Sequence, residues 1–191
     1  MMSPRASGLR EALILAGIHE INANGVSAFS IRRVADACGV SCAAPYRHFE
    51  NKREFIAAII DYVNDQWAEQ QEKIVAGAGD TLREKIVAIC VGYVQFLMET
   101  PTYRSILMLK DEEFDNLYHK KRTQFGSLTQ TLNAQLYQAS GFSREVWERK
   151  LMTVRSLVFG AVMLFDAGEF EYCEKTMEYL RYAIDREFDI N

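Results

Sequence analysis

The chain has 191 residues, nearly half of them apolar and a quarter charged, with a formal net charge of −4. That length allows one large domain or a small domain joined to a larger one, and the mix is that of an ordinary folded protein. No apolar run reaches the ~18 residues of a membrane span, the N-terminus lacks the apolar core of a signal peptide, and four cysteines without a framework fit a reducing interior. A cytoplasmic protein with no membrane partner is expected. The charge is unevenly placed: residues 1–60 carry a net +2 and the remainder −6. A basic head on an acidic body suits a protein that meets phosphates with one end.

Prolines stand only at positions 4, 45 and 101, and most of the chain has helical period. A first helix is predicted from Ser7 to Asn24, with Leu9, Leu13, Ala16, Gly17 and Ile21 on one stripe and Asn24-Gly25 closing it. Ser30 can cap a short helix from Ile31 to Cys38 whose inner face is Val34, Ala35 and Cys38. Gly39-Val40-Ser41 makes a turn, and Ser41 can cap a helix from Cys42 to about Phe49. Asn51, with Glu54 three residues on, opens a long helix through a capping box.

"GAGD" (Gly77 to Asp80) is the predicted break before the body. There Thr81 to Glu99 keeps helical spacing through Leu82, Ile86, Ile89, Cys90, Tyr93 and Leu97. Thr100-Pro101 reads as a cap with Pro at the first helical position. A helix or helix pair follows from Asp111 to Ser140, then one from Ser143 to about Ala167 and a last one from Phe170 to about Phe188.

The chemistry concentrates in the head. Two short helices joined by a Gly-containing turn form a helix-turn-helix, whose second helix enters the major groove. Pro45 and Phe49, four apart, share its inner face, and Cys42, Ala43, Tyr46 and Arg47 its outer one. As the fourth helical residue, Pro45 forfeits at most the first intrahelical bond. The outer face is almost bare at its leading end, so it admits close approach, and then carries a phenol and a guanidinium. Tyr46 and His48 can donate to phosphate oxygens. Lys52 and the N–H groups opening the next helix extend that clamp, and Arg47 can reach guanine or a phosphate.

Residues 13–55 resemble the DNA-binding domain of the TetR family of transcriptional regulators. The resemblance rests on Gly25, "SIRRVADACGVS" (Ser30 to Ser41), "YRHF" (Tyr46 to Phe49) and "NKREF", in order and spacing. It implies an all-α homodimer: an N-terminal three-helix helix-turn-helix domain (1–55, with a linking helix from about 51 to 76) and a C-terminal effector-binding and dimerisation domain (77–191). Such a protein binds a palindromic double-stranded DNA operator as a repressor and leaves it when a small molecule enters the body. The family's positions place Ser30, Tyr46, His48 and Lys52 on phosphates, and Cys42, Ala43, Arg47 and Arg32 toward the grooves, with Ser41 and Ala44 in the same DNA-binding set. Two departures stand out. "AAP" (Ala43 to Pro45) replaces the usual Gly-Thr-Leu, so Ala44 lacks a hydroxyl, and Glu20 stands where an apolar residue is usual.

In the body, Trp147, Leu151, Val154, Val158, Val162 and Phe165 form one stripe on the helix from Ser143, and Met152, Phe159 and Met163 a second. A helix apolar on two sides is buried on two sides, and Gly160-Ala161 allows close helix approach. With Ala161, Cys173, Met177, Leu180 and Ile184, the first stripe is assigned to half of an intersubunit four-helix bundle, as the resemblance implies; the alternative is that both stripes are core. Effector-site candidates are Tyr93, Phe96, Tyr103, Phe114, Tyr118, Phe125, Phe159 and Met163, which suit an apolar or aromatic effector.

No cofactor is expected, and His19, His48 and His119 lack zinc spacing with Cys or carboxylates. "DEEFD" (Asp111 to Asp115) reads as a solvated helix start. Cys42, placed at a helix N-terminus beside basic residues, raises a redox switch, against which stands the lack of an exposed partner thiol. The rival functions are an all-α enzyme using His119 with Glu112 or Glu113, for which no nucleophile or cofactor motif is present, and a helical protein-interaction module.

Overall fold

Every element among the described residues, 4–101, 103–104 and 126–189 of this computed structural model, is helical. In chain order these are α1 (Pro4–Asn24), α2 (Ile31–Ala37), a 3-10 turn (Pro45–Arg47), α3 (Lys52–Gly77), α4 (Leu82–Glu99), α5 (Gly126–Ser140), α6 (Arg144–Asp166) and α7 (Glu174–Arg186). The chain divides into two compact units: Met1–Gln66 with Pro101–Gln124, and Trp67–Thr100 with Phe125–Asn191.

Local chemistry explains most boundaries in the first unit. The Gly25 N–H bonds the Ile21 carbonyl at 2.8 Å, and Gly25 takes φ +77°, the left-handed conformation that ends α1 without a Cβ penalty. Ser30 caps α2 by accepting from the Arg33 N–H at 3.4 Å. A Schellman pair closes α2: Gly39 N–H to Asp36 and Val40 N–H to Ala35, both 3.0 Å, with Gly39 at φ +66°. Asn51 Oδ1 accepts from the Glu54 N–H at 2.9 Å. The Glu54 carboxylate reaches back one residue further than expected, to the Glu50 N–H at 3.0 Å.

The core of this unit draws on α1, α2 and the first half of α3, with Leu13, Ile21, Val34, Phe55, Ile56, Ile59 and Ile60 all buried. Gly17 is the tight point. A Cβ there would lie 2.8 Å from Ile59 Cδ1 and 3.2 Å from Phe55 Cε2. Phe49 stacks on Phe55 with centroids 4.0 Å apart, and Phe29 meets Phe55 edge-on at 5.4 Å.

In the second unit, α4 packs against α5, α6 and α7. A capping box opens α4: the Thr81 side chain accepts from Glu84 N–H, and Glu84 accepts from Thr81 N–H at 3.0 Å. Thr100 serves the end of α4, its hydroxyl donating to the Phe96 carbonyl, and Pro101, Tyr103 and Arg104 are again helical. Ser143 caps α6 through the Val146 N–H at 3.3 Å. The last helix begins at Glu174 instead of Phe170. Gly168 at φ +70° and the Glu169 N–H bonded back to Leu164 at 3.0 Å first turn the chain away from α6. Arg83 fastens the end of α7, donating from Nε to Asp185 Oδ1 at 2.6 Å and from Nη2 to Asp189 Oδ1 at 2.8 Å.

The helix predicted over Asp111 to Ser140 is described only as α5; its earlier part, with "DEEFD" and His119, lies outside the described residues.

Candidate nucleic-acid interface

The segment from Cys42 to Phe49 is not the expected α-helix. It consists of turns around the single 3-10 turn Pro45–Arg47. The cause is Pro45, which has no N–H to give the Ser41 carbonyl; that carbonyl takes the Ala44 N–H instead, at 2.9 Å. The tighter pattern continues through Arg47 N–H to Ala44 and His48 N–H to Pro45.

The predicted facing survives the change of helix type. Pro45 and Phe49 are buried; Ser41, Cys42, Ala43, Tyr46 and Arg47 are exposed; Ala44 and His48 are half-buried. One i,i+4 bond, Phe49 N–H to Pro45 carbonyl at 2.9 Å, keeps the two inner residues on one side. The Phe49 ring then locks the segment to the core, between Phe55 and the Arg10 guanidinium, whose carbon is 5.4 Å from the ring centroid. Tyr46, 56 % exposed, and Arg47 therefore stand outward on a rigid base.

The flanking residues are placed by other bonds. Lys52 Nζ donates to the Ser27 carbonyl at 3.1 Å, which ties the start of α3 to the loop before α2. Ser30 is half-buried and spends its oxygen as the α2 cap; its hydroxyl proton remains a donor. The Asn51 cap consumes the Glu54 N–H, one of the groups assigned above to a phosphate clamp, and the Glu54 carboxylate occupies the Glu50 N–H before it. Cys42 lies in a turn and not at an α-helix N-terminus, which removes the dipole argument for its activation. Cys38 is partly buried against the core, and that burial pushes its thiol up.

Sequence reasoning missed what Glu20 does. It is 9 % exposed and accepts from Arg33 Nε at 2.8 Å, the Ser30 N–H at 3.3 Å and Asn24 Nδ2 at 3.1 Å. Arg33 also donates through Nη2 to Glu20 and to the Ala28 carbonyl. The hydrogen bond from Arg33 holds the Glu20 carboxyl below its ordinary value against the opposing effect of burial, and Glu20 raises Arg33 in turn. The carboxylate thus staples the end of α1 to the start of α2. It also separates two neighbouring arginines: Arg33 is committed to the staple, while Arg32 is exposed. The only signal in the sequence was a Glu at an otherwise apolar position.

In the body, the structure gives the burial of the assigned residues within a single chain. Trp147, Val154, Val158, Val162, Met177, Leu180 and Ile184 are buried within the chain itself, and Leu151, Ala161, Phe165 and Cys173 are half-buried. The seven buried members belong to the chain's own core. The exposed apolar residues lie on the opposite sides of the same helices: Met152 (67 %) and Met163 (63 %) on α6, Tyr179 (61 %) and Tyr182 (66 %) on α7. Met163 therefore does not line an interior effector site. Tyr103 packs against the core of the first unit. Tyr93 is buried, and Phe96 and Phe159 are half-buried. Tyr93 lies 6.4 Å from Phe159, and 4.9 Å from Trp67, a residue not among the candidates. Phe114, Tyr118 and Phe125 lie outside the described residues.

Among the described residues no cluster of three or more His, Cys, Asp or Glu is placed to hold a metal ion. No described helix is long and apolar enough to cross a membrane.

A short helix, a glycine turn and an exposed aromatic-basic segment backed by a buried Pro and Phe define a helix-turn-helix DNA-binding protein. Residues 13–59 match the model of the bacterial regulatory proteins, tetR family. The nucleoid occlusion factor SlmA of Vibrio vulnificus is 26 % identical over 165 residues, covering 86 % of this chain and 82 % of that protein. The probable acrEF/envCD operon repressor of Escherichia coli is 31 % identical over 122 residues, covering 58 % of this chain and 47 % of that one. A TetR family transcription regulator from Marinobacter aquaeolei has the same fold, with a TM-score of 0.73 at 19 % identity over 97 % of this chain and 98 % of that one. The head of the chain, residues 13–59, thus carries the tetR-family match, and the chain is similar to DNA-binding regulators. The similarity is to regulators, which sets the enzyme reading aside.

Proposed function

We propose that the protein is a dimeric, cytoplasmic repressor that holds a palindromic operator and releases it when a small apolar or aromatic effector enters the body. The observation that carries the DNA side is the Tyr46-Arg47 platform, exposed and rigidly backed by buried Pro45 and Phe49. In this reading Tyr46, His48, Ser30 and Lys52 grip phosphates, and Cys42, Ala43, Arg47 and Arg32 face the groove, with Ser41 and Ala44 beside them. The small residues at 42–44 let the segment approach closely.

The dimer face is the exposed stripe of α6 and α7. Met152 and Met163 supply apolar area, and Tyr179 and Tyr182 add rings beneath the cations of Lys175 and Arg186, 5.9 Å from each centroid. Exposed apolar side chains in such a row mark an interaction surface. Two copies joined there must present their platforms ~34 Å apart to enter successive major grooves. An effector that binds the non-DNA state better by a few kcal/mol lowers operator affinity by ~100-fold.

The test is selection of bound duplexes from a random pool, then titration of the winner. A recovered palindrome with half-sites about one turn apart supports the reading; absence of enrichment over random DNA at low salt refutes it. Similarity to a nucleoid occlusion factor over most of the chain favours a second reading, in which DNA binding serves nucleoid occlusion. Genome-wide occupancy separates the two: a few promoter sites for a repressor, many dispersed sites for an occlusion factor.

A further inference from the structure

Trp67 is 2 % exposed, yet among the described residues its Nε1–H has no hydrogen-bond partner. An indole nitrogen can only donate, and a buried donor left unpaired costs ~1–3 kcal/mol. Nothing in packing requires that cost, because a Phe would fill much of the same space without it. The ring is set among aromatics, with centroids 4.9 Å from Tyr93 and 5.2 Å from Phe96. Phe159 lies 6.4 Å from Tyr93, and Phe96 and Phe159 are half-buried, so the cluster reaches toward solvent.

A second orphan belongs to the same unit. Gln71 and Thr129 are buried and joined by a 2.8 Å hydrogen bond that pins α3 to α5. Trp67 lies four residues before Gln71, and Asn133 four after Thr129, each about 6 Å along its own helix from that bond. Asn133 Oδ1 is also buried without a partner among the described residues. A donor and an acceptor are thus held unsatisfied near one well-made polar contact, the donor among aromatic rings.

We infer that the Trp67 indole N–H is the polar anchor of the effector site, and that the effector is a flat, uncharged aromatic molecule bearing a hydrogen-bond acceptor such as a ring ketone. The inference rests on the effector-response reading above and names the ligand class for it. Neutrality follows from burial: an ion taken into this apolar cluster loses hydration that a single indole donor cannot replace. The flat body lies against the half-buried rings of Phe96 and Phe159, and its carbonyl accepts from Nε1. Recovering the orphan's cost makes the acceptor worth about tenfold in affinity.

The probes are isosteric pairs that differ in the acceptor alone: fluorenone against fluorene, and xanthone against xanthene. Each is titrated into the full-length protein labelled with heavy nitrogen on its two indoles, and the N–H resonances are followed by NMR. Trp67→Phe and Trp147→Phe identify the two signals, and circular dichroism checks that each variant folds. The ketones are expected to bind about tenfold tighter than their methylene partners, and to move the Trp67 N–H signal downfield while leaving that of Trp147 in place. Equal affinity within each pair, an unmoved Trp67 signal, or no binding by any of the four overturns the anchor. Because the isostere comparison uses the unaltered protein, it stands even if Trp67→Phe fails to fold. Operator release is measured separately: ketones that bind at Trp67 without loosening the operator support the anchor and overturn the effector-response reading.

Discussion

Phe49 is the side chain on which the DNA-facing segment rests, and replacing it with Ala tests that statement. The ring is 3 % exposed, lies 4.0 Å from Phe55 at an interplanar angle of 11°, and is covered on another side by Arg10. Removing a buried Phe ring costs ~3–5 kcal/mol. The lower end applies, since the segment it anchors is a surface turn that can partly collapse into the space. Phe49→Leu keeps most of the volume and loses ~1–1.5 kcal/mol. With a urea slope of about 2 kcal/mol per molar, a 3 kcal/mol loss lowers the midpoint by roughly 1.5 M. The assay is urea denaturation followed in parallel by far-ultraviolet circular dichroism and tryptophan fluorescence. Both tryptophans, Trp67 and Trp147, belong to the second unit, so the dichroism should lose signal early while the fluorescence transition moves less. DNA affinity should fall in the order native, Leu, Ala. A loss in Phe49→Ala below about 1 kcal/mol, or DNA affinity equal to native, would refute the anchoring argument.

Other substitutions test other parts. Tyr46→Phe removes one exposed hydroxyl, so stability should stay within ~0.5 kcal/mol while affinity falls about tenfold for all DNA sequences alike, read by fluorescence anisotropy on specific and random duplexes. Gly17→Ala sets a methyl 2.8 Å from Ile59 Cδ1; overpacking of ~1–3 kcal/mol should exceed the ~1 kcal/mol gained in helix propensity, giving a lower thermal midpoint. The carboxyl of Glu20 is held below its ordinary value of 4.5 mainly by Arg33. Its stabilisation is therefore complete above that value and is lost as pH falls through the depressed one, so Glu20→Gln should flatten the acid limb of a stability-against-pH curve. Met163→Glu puts a charge on the proposed dimer face without touching the core, and light scattering should report a shift to monomer with unchanged helix content.

Much of this protein was decided by short-range chemistry and could be read directly. Gly25, Gly39 and Gly141 adopt positive φ close to helix ends that glycine alone announces, and Ser30, Asn51 and Ser143 cap where their side chains reach the third N–H on. The sides of residues 42–49 followed from spacing as well. Even the failure of that stretch to be α-helical has a local cause, since Pro45 lacks the donor that a regular turn needs.

What periodicity could not decide was the partner of each apolar stripe. On α6 two stripes are apolar, and a hydrophobic pattern reports only that a face avoids water. Contact with α4 and α7 is what turned Val154, Val158 and Val162 into core and left Met152 and Met163 outside. The same limit hid the joining of Glu20 to Arg33 across thirteen residues, the packing of Tyr103 with the first unit's core, and the placing of Trp67 between Tyr93 and Phe96. Helix ends answer to neighbours a few residues away, whereas burial and charge pairing answer to whichever segment the completed fold brings alongside.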